Sequence, residues 1–253
     1  MRRVIQDIGY GVYVVLACLR LLPVVALRPE PFGYRRFLAA FVEVGLRPFP
    51  TLTLLAALIG IIVGVGVGEA LTVLKFEVLL VESVRAIVLR EFAPLLVGVL
   101  IAGRSGVLLT ARLGTMALAE ETDAILAMGA DPLRHAVLPV LAAAMLLAPL
   151  ITAWCGLTTI AFSAVAVEWN SNMSTPQFLE MMLTGDAGHA FLYGLGKSVV
   201  FAVLVVATAT VHGTRVVRDA SLLPRMATDT FTHAFLAILG VTALFLVLDT
   251  YNG

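Results

Sequence analysis

The chain has 253 residues, 60% of them hydrophobic and 13% charged, with a mean hydropathy of +1.00. Soluble domains carry roughly 25% charged residues, so this composition excludes a soluble protein and describes one integral membrane domain. The formal net charge is zero, and the information lies in how the charges are distributed. Cys18 and Cys155 sit in apolar surroundings as buried thiols and make neither a disulfide framework nor a zinc site. The first apolar run is interrupted by Arg20 and lacks a small-residue cleavage site, which argues against a cleavable signal peptide.

Residues 1–50 are apolar but punctuated by Arg2, Arg3, Arg20, Arg28, Arg35, Arg36 and Arg47. The run from Val12 to Leu27 is broken by Arg20 and Pro23 and falls short of the roughly 20 residues a span needs. Phe37, Leu38, Phe41 and Val42 recur at helical spacing beside Arg35, Arg36, Glu43 and Arg47, the pattern of an amphipathic helix lying in the membrane interface. A spanning helix through Val12–Leu27 is the competing reading. From Thr51 no charge occurs until Glu69, which marks the first span. Gly60, Gly64 and Gly68 share one face of it, a spacing that lets two membrane helices approach closely.

The segment Leu71–Arg90 holds Lys75, Glu77, Glu82 and Arg85 and reads as the outer end of the first span, a turn and the start of the second. That second helix continues to Leu113, with a kink expected near Pro94. A polar segment, 114–134, precedes a third span over Ala136–Phe162. A loop over Ser163–Ala190, a fourth span over Phe191–Val211 and a fifth over Phe231–Leu248 complete the chain. Arginines gather in the N-terminal segment, beside the 114–134 segment and at Arg215, Arg218 and Arg225, while the Ser163–Ala190 loop has no Lys or Arg. The positive-inside rule then puts the N-terminus and both arginine-bearing loops in the cytoplasm and the C-terminus outside. Five spans satisfy that alternation.

Two clusters stand out against this apolar background. A charge at the bilayer centre costs about 3 kcal/mol on insertion scales, so Arg90 and Glu91 either line a polar cavity or snorkel to the outer interface. Being adjacent, they point about 100° apart and cannot pair with one another. Glu120, Glu121 and Asp123 open a short helix expected over Met116–Met128, with Leu118, Thr122, Ile125 and Gly129 along one face. Gly129 suits its C-terminal cap, and Asp131 and Pro132 suit the start of the next helix. Such a helix is either a docking element for a basic partner or a solvated turn. Lys197 reads as an interface snorkeller or a lipid-headgroup contact. Gly103-Arg104-Ser105-Gly106 lacks the spacing of a nucleophile elbow. His135, His189, His212 and His233 show no metal-ligand spacing.

Taken together, Arg90, Glu91 and Pro94, then Ala102, Gly103, Arg104 and Gly106, then Gly114 and Met116 form an ordered pattern. It continues through Glu120, Asp123, Met128, Gly129, Asp131, Pro132, Arg134 and Pro139. This pattern resembles the signature region of the MlaE/YrbE permeases, membrane subunits of ABC transporters that move lipids with MCE proteins. The likeness resumes at Lys197–Phe201 and His233–Gly240, and departs at Arg112, Glu121 and His212–Arg215. It implies a five-span all-α permease without catalytic residues, preceded by an interfacial segment over residues 1–50, in a bacterial inner membrane. ATP and Mg would be bound by a cytoplasmic ATPase partner and none by this chain. A second permease copy, a periplasmic MCE-domain protein and, in some systems, a STAS-domain protein complete the implied assembly.

The same resemblance assigns a lipid cavity to Arg90, Glu91, Pro94, Gly64, Gly68 and Lys75. It assigns ATPase coupling to Glu120, Glu121, Asp123, Met128, Gly129, Asp131 and Arg134. Helix or dimer packing falls to Gly60, Gly64, Gly103 and Gly106. An ion-coupled secondary transporter, an intramembrane lipid enzyme and a membrane scaffold are the rival readings.

Overall fold

A computed structural model of the chain describes residues 34–73, 77–129, 131, 135–171, 173–214 and 219–252, together with Gly9, Tyr13 and Leu16. Among them the only regular structure is helical. In chain order the helices are α1 (Tyr34–Phe41), α2 (Phe49–Val73), α3 (Glu77–Ala86), α4 (Ala93–Ile101) and α5 (Val107–Leu118). They continue with α6 (Glu121–Ala127), α7 (Leu138–Asn170), α8 (Thr175–Leu183), α9 (Ala187–Gly213) and α10 (Leu223–Asn252). Pro139, Pro176 and Pro224 each stand second in their helices, where a missing N–H costs nothing.

Among the described residues five stretches are long and apolar enough to cross a membrane: Arg35–Val73, Val78–Leu118, Leu138–Asn170, Ala187–Gly213 and Ala220–Asp249. The expected five spans are present, each longer than its apolar run. The expected 163–190 loop needs correction, because α7 continues through Ser163 to Asn170 and α8 follows. Helical hydrogen bonding does not stop where polar side chains begin. Ser163 and Ser171 return their hydroxyls to Ile160 and Val167 carbonyls, and the Ser174 N–H donates to Gln177 Oε1 at 3.2 Å to start α8. The N-terminal run Val12–Leu27 lies outside the described residues apart from Tyr13 and Leu16.

Among the described residues three segments widen to π turns: Val42–Leu46, Ile87–Phe92 and Ala102–Gly106. The first closes with the Arg47 N–H donating to the Val42 carbonyl at 3.0 Å. The second precedes Pro94, whose ring would press on the Arg90 carbonyl in a regular helix. Wider pitch there accommodates the proline.

The chain divides into two compact units. One comprises residues up to Arg47, Gly98–Leu147 and Val200–Gly253. In it α5 packs on α10 through a buried polar knot. The Thr110 hydroxyl lies 2.9 Å from Thr230 Oγ1, 3.0 Å from the Gly106 carbonyl and 3.1 Å from the Ala209 carbonyl. The other unit comprises Pro48–Val97 and Ala148–Val199. Its core gathers Val67, Val81, Val88, Leu89 and Ile160 around Phe178 and Met182, which share the buried face of α8.

Candidate functional site

The second unit holds two ion pairs made by adjacent residues of the second span. Glu91 Oε2 lies 2.5 Å from Lys197 Nζ, with the Lys197 side chain 1% exposed and that of Glu91 29% exposed. Arg90 donates from Nη2 to Asp186 Oδ2 at 3.0 Å, and its guanidinium lies 5.8 Å from the centroid of the Tyr193 ring. Both residues belong to the π turn Ile87–Phe92 and reach different partners, as adjacent helical residues must. The expectation for Lys197 is corrected here: it is buried rather than snorkelling, because the Glu91 carboxylate offsets the loss of water. An opposite charge in another apolar span was the available signal.

Arg85 is a residue that sequence reasoning missed. It is 5% exposed and donates to the Thr184 and Met181 carbonyls at 2.5 and 3.3 Å, and to Glu82 Oε1 at 3.1 Å. It thereby satisfies carbonyls at the end of α8, where a cation also suits the helix dipole. Glu82 keeps its side chain 56% exposed. Lys75 lies outside the described residues.

An apolar groove of about 330 Å³ runs between α2 and the α3–π-turn segment, lined by residues that include Ile62, Gly66, Val67, Leu80, Val84 and Val88. Gly60, Gly64 and Gly68 do not line it. A Cβ at Gly60 would lie 2.5 Å from the Thr159 carbonyl oxygen, at Gly64 2.4 Å from that of Ser163, and at Gly68 2.9 Å from Asn170 Cβ. The glycine face of the first span is therefore covered by α7 of the same chain. Gly194 admits the Leu89 carbonyl in the same way, at 2.2 Å from a built Cβ. Pro94 is buried at the start of α4.

In the first unit, the expected single helix over 116–128 is two helices. The chain breaks at Ala119–Glu120, where Glu120 takes a left-handed φ of 56°. Glu121 and Asp123 then sit in the first turn of α6, where carboxylates face the positive end of the helix dipole. Ile125 is the buried residue of α6, while Glu120, Glu121, Asp123, Leu126 and Met128 are exposed. Gly129 ends the element at φ +74°, a conformation open to glycine, and its N–H donates to the Leu126 carbonyl at 2.9 Å. Asp131 is exposed, and Pro132 and Arg134 lie outside the described residues. Gly106 faces Val205 Cγ1, 3.0 Å from a built Cβ, and Gly103 faces the Phe231 ring at 3.4 Å.

A model of the family described as Permease MlaE matches residues 37–248. The chain belongs to the MlaE permease family. Its relatives include the intermembrane phospholipid transport system permease protein MlaE of Haemophilus influenzae, 28% identical over 204 residues. That alignment covers 78% of this chain and 76% of the Haemophilus protein. The chloroplast protein TRIGALACTOSYLDIACYLGLYCEROL 1 of Arabidopsis thaliana is 37% identical over 76 residues, 30% of this chain and 22% of that protein. A probable ABC transporter permease protein of Pyropia yezoensis is 29% identical over 116 residues, 46% of this chain and 44% of the other. As an MlaE-family permease the chain is a multi-pass membrane protein, and its family is not one of enzymes.

Proposed function

We propose that this permease is the membrane subunit of an ABC transporter that moves phospholipids, driven by ATP hydrolysis in a partner subunit that binds ATP and Mg. The observation that carries the reading is the Glu91–Lys197 ion pair, which joins the otherwise apolar second and fourth spans, together with Arg90 of the second span, held by Asp186 in the turn before α9. Ionisable pairs kept within apolar spans characteristically mark substrate paths. A phosphate exchanging with Asp186 for Arg90, or with Glu91 for Lys197, would hold a headgroup, while the apolar groove beside α3 suits an acyl chain. Kinship with a phospholipid transport permease supports the same substrate class.

Energy enters through α6, which we read as the coupling helix. Its exposed carboxylates and the exposed Leu126 and Met128 suit a partner groove with basic and apolar walls. Nucleotide binding then acts as a population shift between two arrangements of the ATPase pair, transmitted through this helix. The exposed Arg35, Arg36 and Arg47, near the start of the first span, would mark its cytoplasmic end in a bacterial inner membrane. The C-terminus is then periplasmic, where an MCE-domain protein would dock. A second copy of the chain completes the assembly, and a STAS-domain protein could join at the ATPase. Reconstitution with the ATPase in proteoliposomes tests the reading. Glu91→Leu should abolish lipid transfer while the complex still assembles, and undiminished transfer would reject the assignment.

A further inference from the structure

The first unit contains a cavity of about 320 Å³ lined by residues that include Glu43, Val44, Ser105, Leu108, Arg112 and Thr115. It shares none of the residues assigned above to lipid passage. Two of the three π turns, Val42–Leu46 and Ala102–Gly106, border it and supply Glu43 and Ser105 respectively. Single widened turns of this kind recur at functional sites.

Three observations define what the cavity would take. Ser105 is 4% exposed, and its Oγ has no hydrogen-bond partner among the described residues. The buried Thr110 and Thr210, by contrast, return their hydroxyls to the Gly106 and Val206 carbonyls. Second, Glu43 and Arg112 line the same cavity with opposite charges, yet they form no ion pair with each other among the described residues. Third, Glu43 lies about two helical turns inside the start of the first span, and Arg112 about two turns before the end of the second. Successive spans run in opposite directions, so both charges sit at one membrane interface, with Leu108, Leu109 and Val140 forming the apolar remainder of the wall.

We propose that this cavity binds a zwitterionic membrane lipid, one carrying both a phosphate and an amine. Arg112 offers a planar fork of donors to the phosphate. Glu43 accepts from the amine, and Ser105 donates to a phosphate or ester oxygen. The apolar wall takes the first methylenes of the chains. This site is separate from the transported lipid, and binding to it needs neither nucleotide nor partner.

The test is a lipid titration of the full-length chain, purified in detergent, read by native mass spectrometry. The probes are phosphatidylethanolamine, phosphatidylglycerol, diacylglycerol and the tail-less glycerophosphoethanolamine. Phosphatidylethanolamine should bind tightest, phosphatidylglycerol more weakly, and diacylglycerol and the tail-less headgroup weakest. Arg112→Gln should weaken both phospholipids by about tenfold or more, the loss of a charged hydrogen-bonding partner. Glu43→Gln should lower phosphatidylethanolamine to the level of phosphatidylglycerol and leave the latter unchanged.

Ser105→Ala should weaken both phospholipids while leaving the melting temperature of the delipidated chain unchanged or higher, an opposition that no folding defect produces. The proposal is overturned if the ethanolamine preference survives Glu43→Gln, or if that variant loses both lipids alike. It is also overturned if Arg112→Gln binds as before, if Ser105→Ala lowers melting and binding together, or if diacylglycerol or the tail-less headgroup matches the intact phospholipid.

Discussion

Lys197 and Glu91 form one unit of charge, and removing the ammonium leaves the Glu91 carboxylate without its cation. Breaking a buried pair by deleting one partner costs about 3–5 kcal/mol, while replacing both by apolar groups is often neutral. Glu91 keeps some exposure, so the cost belongs at the lower end of that range. Lys197→Met alone should therefore lower the melting temperature of the purified permease, and the double variant with Glu91→Leu should recover it without recovering lipid transfer. Full recovery of transfer would assign the pair a purely structural role.

His135 makes a different residue-scale prediction. Arg36 Nη1 donates to its Nδ1 at 2.6 Å, so the ring must be neutral to accept. Burial, followed by the Arg36 and Arg112 cations, holds its pKa below the usual histidine value. A base whose folded pKa is depressed contributes stability that is complete above the unfolded pKa, about 6.5, and is lost as pH falls through that value toward the folded one. Melting temperature measured against pH should accordingly drop below about pH 6.5, and the drop should flatten in His135→Gln. An identical profile in the variant would remove His135 from the account.

At the scale of elements, hydropathy made the spans legible and left their ends obscure. The five apolar runs were plain, but α7 and α9 reach beyond them because backbone hydrogen bonds continue where Ser163 and His189 interrupt the grease. The glycine repeat of the first span was readable as a packing face, although only the fold shows that α7 covers it. Gly64→Ala should cost about 1–3 kcal/mol through overpacking, since the nearest atom is a backbone carbonyl that cannot swing aside. Unchanged thermal stability would show that the two helices separate at little cost. The carboxylates of α6 were legible as a cluster; the left-handed Glu120 that splits the expected helix was not, because nothing in its side chain requires that conformation. Charge reversal at Glu120, Glu121 and Asp123 should reduce co-purification of the ATPase at least tenfold in pull-downs, while membrane insertion is unchanged.

For the molecule as a whole, composition identified a membrane protein, but pairing of charges across spans depends on tertiary contacts that no local pattern encodes. Arg85 shows this best: among Lys75, Glu77 and Glu82 it looks like one more surface charge, and only the approach of α8 makes it buried. The fifth span is the least covered within the chain, with 11% of its most apolar stretch buried against 39% to 56% in the other four. Leu236, Leu244, Leu246 and Val247 are open on it. The lone chain should hydrolyse no ATP and transfer no phospholipid in liposomes, and robust nucleotide-free transfer would favour an ion-coupled carrier.

The widened turn at Ile87–Phe92 also sets how this gene can tolerate change. It stores one surplus residue relative to ordinary helical pitch. Losing a codon there could be absorbed by tightening the coil, leaving everything downstream aimed as before but forfeiting the neighbouring cation and anion as separate hands. Losing one from the regular turns of α4 would instead rotate the remainder of the rod by about 100°. Survivable shortening of the second span should therefore cluster at this one spot.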